Sequence, residues 1–525
     1  MQAPPNTARP SGAAAWLTAF ALALALYAAT ASRGPQWQDS GWQQVRIVAG
    51  ELDHPRGLAL THPLHYYLAR AAIRLPLAPA FAITLVSAAA GAIAIANIAA
   101  ILTLLTKRRL AAALVATALA LAHTFWQHAT HTESYALVAA LLTAEWLCLA
   151  SFALRPRAAP LVALLALNGL GVANHLLAAL ATPVDVVVLA CSTRAGHIRA
   201  RWALIAILAW CLATAPYSSL VLSELWRTGD VAAVAQSATV GTFGKMVLNT
   251  SLSSRMLLLS LAFFVYNFPG LTLPLAAYGG VRRGGVPRLL HAALLAELAI
   301  FGLFVGRYSI ADQYSFYFPI YALLAVFAGL GVARVLDWPA ARRRRAVLAL
   351  AFMTSLWTPI LYPAVAAWLR ASGRLSGLLG SKPYRDGYRE YFVPWGVGAD
   401  GPTRLIEDVA CYASRNALVV LADHMQGFAL RYGQLVGRLP ASLQMIELSR
   451  HGPSLAELRA SLRERHERGE AVILVPRDRT RPEAPVPGPD WDTLQVPIAG
   501  AQWERAGDLY ILRELHDPPE EQDAD

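Results

Sequence analysis

The chain has 525 residues, of which 56% are hydrophobic and 15% charged, and its mean hydropathy is +0.41. Soluble domains carry about 25% charged residues, so the composition indicates a membrane protein with a smaller soluble part. The net charge is +11. Because the basic residues form short clusters between apolar runs, they indicate topology and exclude a nucleic-acid partner. The spacing of the four cysteines excludes a disulfide framework or a zinc motif.

Long apolar runs predict about eleven membrane spans, since a span needs roughly 20 apolar residues. The predicted spans are 13–31, 80–106, 110–124, 134–154, 158–174, 176–193, 202–220, 256–279, 288–306, 316–336 and 346–367. Each even-numbered run is followed by a basic cluster, beginning at Lys107, Arg155, Arg194, Arg282 and Arg342. The positive-inside rule therefore predicts a cytoplasmic N-terminus and an exported C-terminus.

The polar residues gather on the predicted outer face. This face has a long loop at 32–78, polar segments at 123–135 and 306–314, a second long loop at 221–255 and the tail. A transporter more often places ionisable groups near the membrane midplane, so this distribution favours an interfacial enzyme. Glu145 and Glu297 are the exceptions, and either could be a polar contact between helices.

The tail changes character near residue 371, where charges become frequent. Segments 416–424, 471–476 and 508–515 are typical of buried strands, and 402–414, 424–437 and 453–468 of helices. This alternation predicts a small extracytoplasmic α/β domain over 371–525, after a membrane module over 1–370. The last residues, HDPPEEQDAD, are predicted to be disordered.

The first outer loop carries the first candidate residues. Asp39 lies shortly after the first span, in GPQWQDSGWQQVRI, between two tryptophans typical of a membrane interface. It could be a catalytic carboxylate at the membrane surface or an ordinary turn residue. His54 and His62 precede prolines, and they could bind an anion or a metal or belong to a rigid loop.

A second group lies before the fourth span. Glu133 and Tyr135 follow His128 and His131. The carboxylate could hold a metal or orient a nucleophile, or it could be an acidic residue favoured at a helix start.

The remaining candidates follow the fifth and ninth spans. They are Asn174, His175, Arg307, Asp312 and Tyr314. Each could belong to a hairpin turn, but their presence on one predicted face favours a site.

The order of short motifs along residues 13–395 resembles a known family. The chain contains Asp39-Ser40-Gly41, His54-Pro55-Arg56-Gly57, Phe125-Trp126-Gln127 before Glu133-Ser134-Tyr135-Ala136-Leu137, Gly169-Leu170 with Asn174-His175, Asp312-Gln313-Tyr314 before Phe318-Pro319, and Pro383-Tyr384-Arg385-Asp386. In this series it resembles the transmembrane protein O-mannosyltransferase-like family of the glycosyltransferase C (GT-C) superfamily. One departure is Trp42, which stands where the family pattern has a glutamate.

The resemblance implies a polytopic α-helical GT-C-like enzyme in the bacterial inner membrane. It implies that a hexosyl or mannosyl group moves from a polyprenyl-phosphate donor to a protein, glycan or lipid hydroxyl, with inversion. Asp39 would be the general base, and Glu133 would orient the acceptor or a divalent cation. Cations should stabilise the phosphate leaving group, and the candidates are His54, His62, His175 and Arg307.

Tyr135, Asn174, Asp312 and Tyr314 complete the implied substrate site. Two alternatives stay open: an inactive membrane scaffold whose exported tail binds a partner, and a sugar-lipid transporter. Convergence of the outer-face carboxylates and histidines on one cavity would favour the transferase, and their dispersal would favour the scaffold.

Overall fold

The computed structural model describes residues 12–308, 310, 312–380, 382–448, 454–476 and 501–516. Of the predicted disordered end, HDPPEEQDAD, all residues after His516 lie outside the described residues. The helices of the N-terminal part are α1 (Gly12–Thr30), α2 (Gln38–Ala49), α3 (Pro63–Ala72), α4 (Pro79–Thr106), α5 (Arg109–Ala120), α6 (His123–Thr130), α7 (Tyr135–Leu154), α8 (Ala158–Asn174), α9 (Thr182–Arg194), α10 (Ala200–Ala213), α11 (Ala215–Thr228), α12 (Val231–Thr239), α13 (Gly244–Val247), α14 (Ser254–Asn267), α15 (Thr272–Val281), α16 (Arg288–Arg307), α17 (Gln313–Phe316), α18 (Phe318–Leu336), α19 (Ala341–Leu356) and α20 (Thr358–Ala371).

Each predicted span coincides with helical structure, and the chain folds as a polytopic α-helical membrane protein. Within the described residues, five helices are long and apolar enough to cross a membrane alone: α1, α4, α7, α16 and α18. Four bent helix pairs overlap further predicted spans, with angles of 67° for α5–α6, 64° for α10–α11, 105° for α14–α15 and 51° for α19–α20, so the described residues provide up to nine spans, if each pair is one span, rather than eleven. The fifth and sixth predicted spans correspond to the shorter helices α8 and α9, which are not counted among the nine.

Contacts at the helix ends show which ends share a side of the bundle. Arg108, after the second span, pairs with Asp337, after the tenth, at 2.6 Å. Arg334 of the tenth span donates to the carbonyl of Gly279 in the eighth at 3.0 Å. The basic clusters that follow these even-numbered spans therefore lie together.

The C-terminal part is a five-stranded sheet with helices on its two faces. The remaining elements are α21 (Ser376–Leu379), α22 (Gly387–Phe392), α23 (Gly401–Tyr412), β1 (Leu418–Leu421), α24 (His424–Leu435), β2 (Gln444–Glu447), α25 (Leu455–Glu467), β3 (Val472–Val475), β4 (Ala501–Ala506) and β5 (Leu509–Leu515). The strand order is β2-β1-β3-β5-β4, in which β2, β1 and β3 are parallel and β5 is antiparallel to β3 and β4.

Alternate residues of β1 and β3 enter two separate cores. Val419 and Ile473 pack with α23 and α24 on one face, and Leu418 and Val472 pack with α25 on the other. Val45 of α2 belongs to the first core, so α2 packs against the C-terminal part. The predicted strands and helices of the tail are all present, and β2 and β4 were not predicted.

Candidate active site

Asp39 lies in the first turn of α2, and the chain around it is tightly fixed. The segment Gln-Asp-Ser-Gly begins this helix rather than forming a turn, and unpaired N–H groups at a helix start favour a carboxylate. Gly41 permits the close approach of the preceding segment, because a Cβ there would lie 2.1 Å from the carbonyl oxygen of Gln36. The next residue, Trp42, packs on Phe428 of α24 with a ring-centroid distance of 5.3 Å. The C-terminal part therefore helps to hold the helix that carries Asp39.

Three carboxylates from distant parts of the sequence line one cavity of about 410 Å³, which we call the acidic cavity. Asp39 comes from α2, Glu133 from the turn before α7 and Asp312 from the segment before α17. Tyr135 and Tyr314 line the same cavity.

The electrostatics of the acidic cavity keep Glu133 protonated at neutral pH. Burial raises the pKa of Glu133, a hydrogen bond donated by Ser40 opposes the shift, and the charges of Asp39 and Asp312 add to it, so that the pKa is about 8. The Ser40 hydroxyl lies 2.7 Å from Oε1 of Glu133. Burial, followed by the charge of Asp39, raises the pKa of Asp312 to about 6. Carboxyl groups in one cavity thus have different protonation states near pH 7.

A second cavity of about 640 Å³ continues from the first, and we call it the apolar chamber. It shares Asp39, Glu133, Tyr135 and Asp312 with the acidic cavity. Its other walls are mostly apolar and include Leu177, Leu180, Val240, Phe243, Phe304 and Phe316.

Arg46 is a buried cation in the wall of the apolar chamber. It is 3% exposed, and its guanidinium donates to the carbonyl oxygens of Leu52 and Thr61. Its Nε has no hydrogen-bond partner among the described residues, and none of their carboxylates forms an ion pair with it. Burial lowers the pKa of Arg46 to about 10, so it stays charged at neutral pH. A buried charge without an ion-pair partner is costly, which makes this position suited to an anionic ligand.

The histidines of the site are neutral. Burial lowers the pKa of His54 to about 3, with a further contribution from the charge of Arg46. Burial lowers the pKa of His62 to about 4 and that of His175 well below its usual range. The positive charge beside the carboxylates therefore comes from Arg46 and Arg56 rather than from the imidazoles that the sequence suggested.

Hydrogen bonds and ring contacts fix the histidines beside Tyr135. Nδ1 of His62 donates to the carbonyl oxygen of Asn174 at 2.9 Å, and its ring stacks on His175 at 4.7 Å. His175 in turn lies 5.1 Å from the Tyr135 ring. Asn174 donates to the carbonyl oxygen of Ser134 at 3.0 Å, so its side chain fixes the turn rather than lining either cavity.

Arg307 is the predicted site residue that the structure places apart from the others. Its guanidinium donates to the carbonyl oxygens of Asn249 at 3.0 Å and Leu303 at 3.1 Å. It lines neither the acidic cavity nor the apolar chamber, because the end of α16 directs it to the 249–251 loop, whereas the adjacent Tyr308 does line the chamber.

The residues do not fit a divalent-cation site. Within the described segments, no group of three or more His, Cys, Asp or Glu side chains is placed to hold a metal ion.

Sequence reasoning missed Arg46, Arg56 and the contribution of the tail. Tyr391, Met425 and Phe428 line the acidic cavity opposite α2. For Arg46 the sequence signal was an arginine within the segment QQVRI, which the structure buries. For the tail residues, only the three-dimensional contact with α2 shows their role.

The overall arrangement resembles that of known membrane proteins. The sequence matches no protein-family model and no curated protein. Among solved structures, ArnT from Cupriavidus metallidurans in the apo state superposes with a TM-score of 0.56 at 14% identity, covering 96% of this chain and 98% of that one. ArnT bound to undecaprenyl phosphate gives 0.55 at 15% identity, covering 88% and 94%. An Archaeoglobus fulgidus oligosaccharyltransferase gives 0.46 at 13% identity, covering 88% and 67%.

Likeness over almost the whole length of both chains shows that this chain shares the fold of ArnT from Cupriavidus metallidurans. At this level of identity the likeness concerns the fold alone.

Proposed function

We propose that the chain is an inverting membrane glycosyltransferase that moves a sugar from a polyprenyl-phosphate donor to a hydroxyl group of an acceptor. The observation that supports this most directly is the convergence of Asp39, Glu133 and Asp312 on one cavity that continues into an apolar chamber beside a buried arginine. A lipid-linked sugar needs both surroundings, a polar region for the sugar and an apolar one for the isoprenoid.

Asp39 is the proposed general base. Its side chain makes no hydrogen bond or ion pair with the described residues, so its oxygens are available to an acceptor hydroxyl. It removes the hydroxyl proton as the oxygen attacks the anomeric carbon, and the phosphate leaves from the opposite face. General-base assistance contributes about 10²–10⁴-fold, and alignment of the two substrates contributes more.

Glu133 and the other candidates position the acceptor. As a protonated carboxyl group, Glu133 can donate a hydrogen bond to a sugar or acceptor oxygen. Tyr135 and Tyr314 offer aromatic faces and hydroxyl groups to the sugar ring, and Asp312 offers a further acceptor oxygen.

Arg46 and Arg56 are the proposed partners of the donor phosphate. Both line the apolar chamber, and Arg56 also lines the acidic cavity. Their charges would stabilise the negative charge that develops on the leaving phosphate. ArnT from Cupriavidus metallidurans, which shares the fold, binds undecaprenyl phosphate, and a carrier of that type would suit this chamber.

The proposal also covers the location of the protein and the roles of its two parts. Residues 1–370 form the membrane module and residues 371–525 an extracytoplasmic domain, with the N-terminus cytoplasmic in the bacterial inner membrane. A hexosyl or mannosyl donor and a protein, glycan or lipid acceptor follow from the resemblance to the O-mannosyltransferase-like family. A scaffold would not need the carboxylates to converge, and a transporter would not need them on one face of the bundle.

The first test compares cell-envelope glycans in four strains: a deletion strain and strains complemented with wild type, Asp39→Asn or Asp53→Asn. Asp53 is an exposed carboxylate of the same loop outside both cavities, so Asp53→Asn is the matched control. We expect one glycan to disappear on deletion and to return with wild type and Asp53→Asn only. An unchanged glycan profile in the deletion strain would refute the transferase.

A further inference from the structure

A small chamber of about 90 Å³ is lined by Glu133 and shares no other residue with the apolar chamber, and we call it the rear chamber. Glu133, His128 and Tyr314 line both the rear chamber and the acidic cavity, so they form the wall between the two. The remaining lining includes Trp37, Gln127, His131 and Glu390. The volume is sufficient for several waters, since one water needs about 10–15 Å³ by this measure.

Three of these side chains have buried polar atoms that lack a protein partner. Nε1 of Trp37, Oε1 of Gln127 and Nδ1 of His128 form no hydrogen bond with the described residues. Buried polar groups of native proteins are nearly always satisfied, by ordered water where protein atoms are absent. The volume of the rear chamber and the polar side chains of its lining favour water.

The groups around the rear chamber can accept and pass on a proton. Nδ1 of His131 donates to the carbonyl oxygen of Gln127 at 2.9 Å, which leaves Nε2 of the neutral ring as a proton acceptor. Burial lowers the pKa of His131, so the ring remains neutral. Glu390 lines the chamber and accepts a hydrogen bond from Arg385 at 2.6 Å, and its side chain is 21% exposed, so it also reaches solvent. The charged and titratable groups around Glu133 and His131 are Asp39, Asp312, His123, His128, Tyr135, Tyr314, Glu390 and Arg389.

We propose that the rear chamber is a hydrated proton exit for the transferase, in which Glu133 passes the proton of the acceptor hydroxyl through bound water to His131 and Glu390. This inference rests on the proposed function. With donor and acceptor in place, the acidic cavity is filled, and free access of water there would hydrolyse the donor. The proton taken up by Asp39 therefore needs an exit apart from the substrates.

The proton balance closes without an added reactant. The acceptor O–H bond breaks as the new glycosidic bond forms, and the proton moves to Asp39. Asp39 passes it to Glu133, whose own proton moves to water in the rear chamber. His131 and Glu390 transfer one proton to bulk solvent, which returns every group to its starting state.

The test uses the full chain in membranes, with an undecaprenyl-phosphate-linked radiolabelled hexose as donor and envelope material as acceptor. His131→Leu removes the proposed acceptor, and His123→Leu is the matched control, because His123 is also buried on this segment but lines neither the rear chamber nor the acidic cavity. We expect the transfer rate of His131→Leu to fall at least about tenfold, its solvent deuterium isotope effect to rise, and imidazole to restore part of the rate. A structural defect alone would not change the isotope effect or respond to imidazole.

A second readout needs no activity. Radiolytic hydroxyl-radical labelling of the purified full chain should modify Trp37 and His131 through bound water. Absent labelling would overturn a hydrated chamber. Labelling combined with equal rates and isotope effects in the two variants would overturn the proton exit while leaving the transferase intact. An inactive wild-type protein would instead refute the transferase, and with it the exit.

Discussion

The protonation of Glu133 can be predicted with a sign and a magnitude. Its ordinary pKa is near 4.5, and burial raises it to about 8, so the folded protein binds an additional proton between these values. Because the folded pKa exceeds the unfolded one, the free energy of unfolding falls as pH rises through this window, by up to about 1.4 kcal/mol per pH unit. Glu133→Gln should remove this part of the pH dependence.

Two variants should shift this pKa in opposite directions. Ser40→Ala removes a hydrogen bond to the charged form, worth about 1.5–3 kcal/mol, which raises the pKa of Glu133 by about 1–2 units. Asp39→Asn removes a neighbouring negative charge and should lower it.

The assay is infrared difference spectroscopy of the purified full chain during a pH titration, with the Glu133 carboxyl band assigned by its loss in Glu133→Gln. A band that titrates near 4.5 in the wild type would refute the reasoning. So would a shift in the same direction in both variants.

Three further predictions concern the walls of the site. Arg46→Gln should lower transfer at least about tenfold through weaker donor binding and a poorer leaving group, measured as KM for the donor and kcat. Phe428→Ala removes the ring that packs on Trp42 and should lower both transfer and the free energy of unfolding, the latter by about 1–3 kcal/mol in thermal unfolding. Glu297→Ala leaves Nε1 of Trp146 without its 2.6 Å partner and should destabilise the chain by about 1–3 kcal/mol, whereas Glu297→Gln keeps an acceptor there and should cost less.

The helical framework could be predicted because it depends on local composition. Each apolar run forms a helix, and β1 and β3 are continuous apolar segments buried on both faces, as is typical of parallel strands. β2 and β4 were missed because their residues are more exposed and include Gln444 and Glu504, so neither has a continuous apolar run. The bends within the four helix pairs were not predicted either, because no sequence signal marks a bend as strongly as hydropathy marks a span.

The site could be predicted only in part, because its residues belong to separate elements. Asp39, Glu133 and Asp312 were candidates for their residue type and predicted face, and the fold brings them together. Arg307 satisfied the same criteria, but at the end of α16 its side chain binds the carbonyl oxygen of Asn249 and lies apart from the three carboxylates. Arg46 was overlooked because the sequence shows neither that this arginine is buried nor that it lacks an ion-pair partner among the described residues.

Trp42 illustrates how the site is connected to the tail. Its ring lies edge-on to His54 at 6.1 Å and packs on Phe428 at 5.3 Å, so it joins the segment 32–78 to the C-terminal part beside the acidic cavity. A glutamate in this position would add a further carboxylate beside those of Glu133 and Asp312, and like charges in one cavity raise the cost of ionisation. The aromatic side chain avoids that cost and provides an apolar wall. We therefore expect Trp42→Phe to retain transfer and Trp42→Glu to lose it, together with the packing of α24 on α2, and an active Trp42→Glu protein would contradict this account.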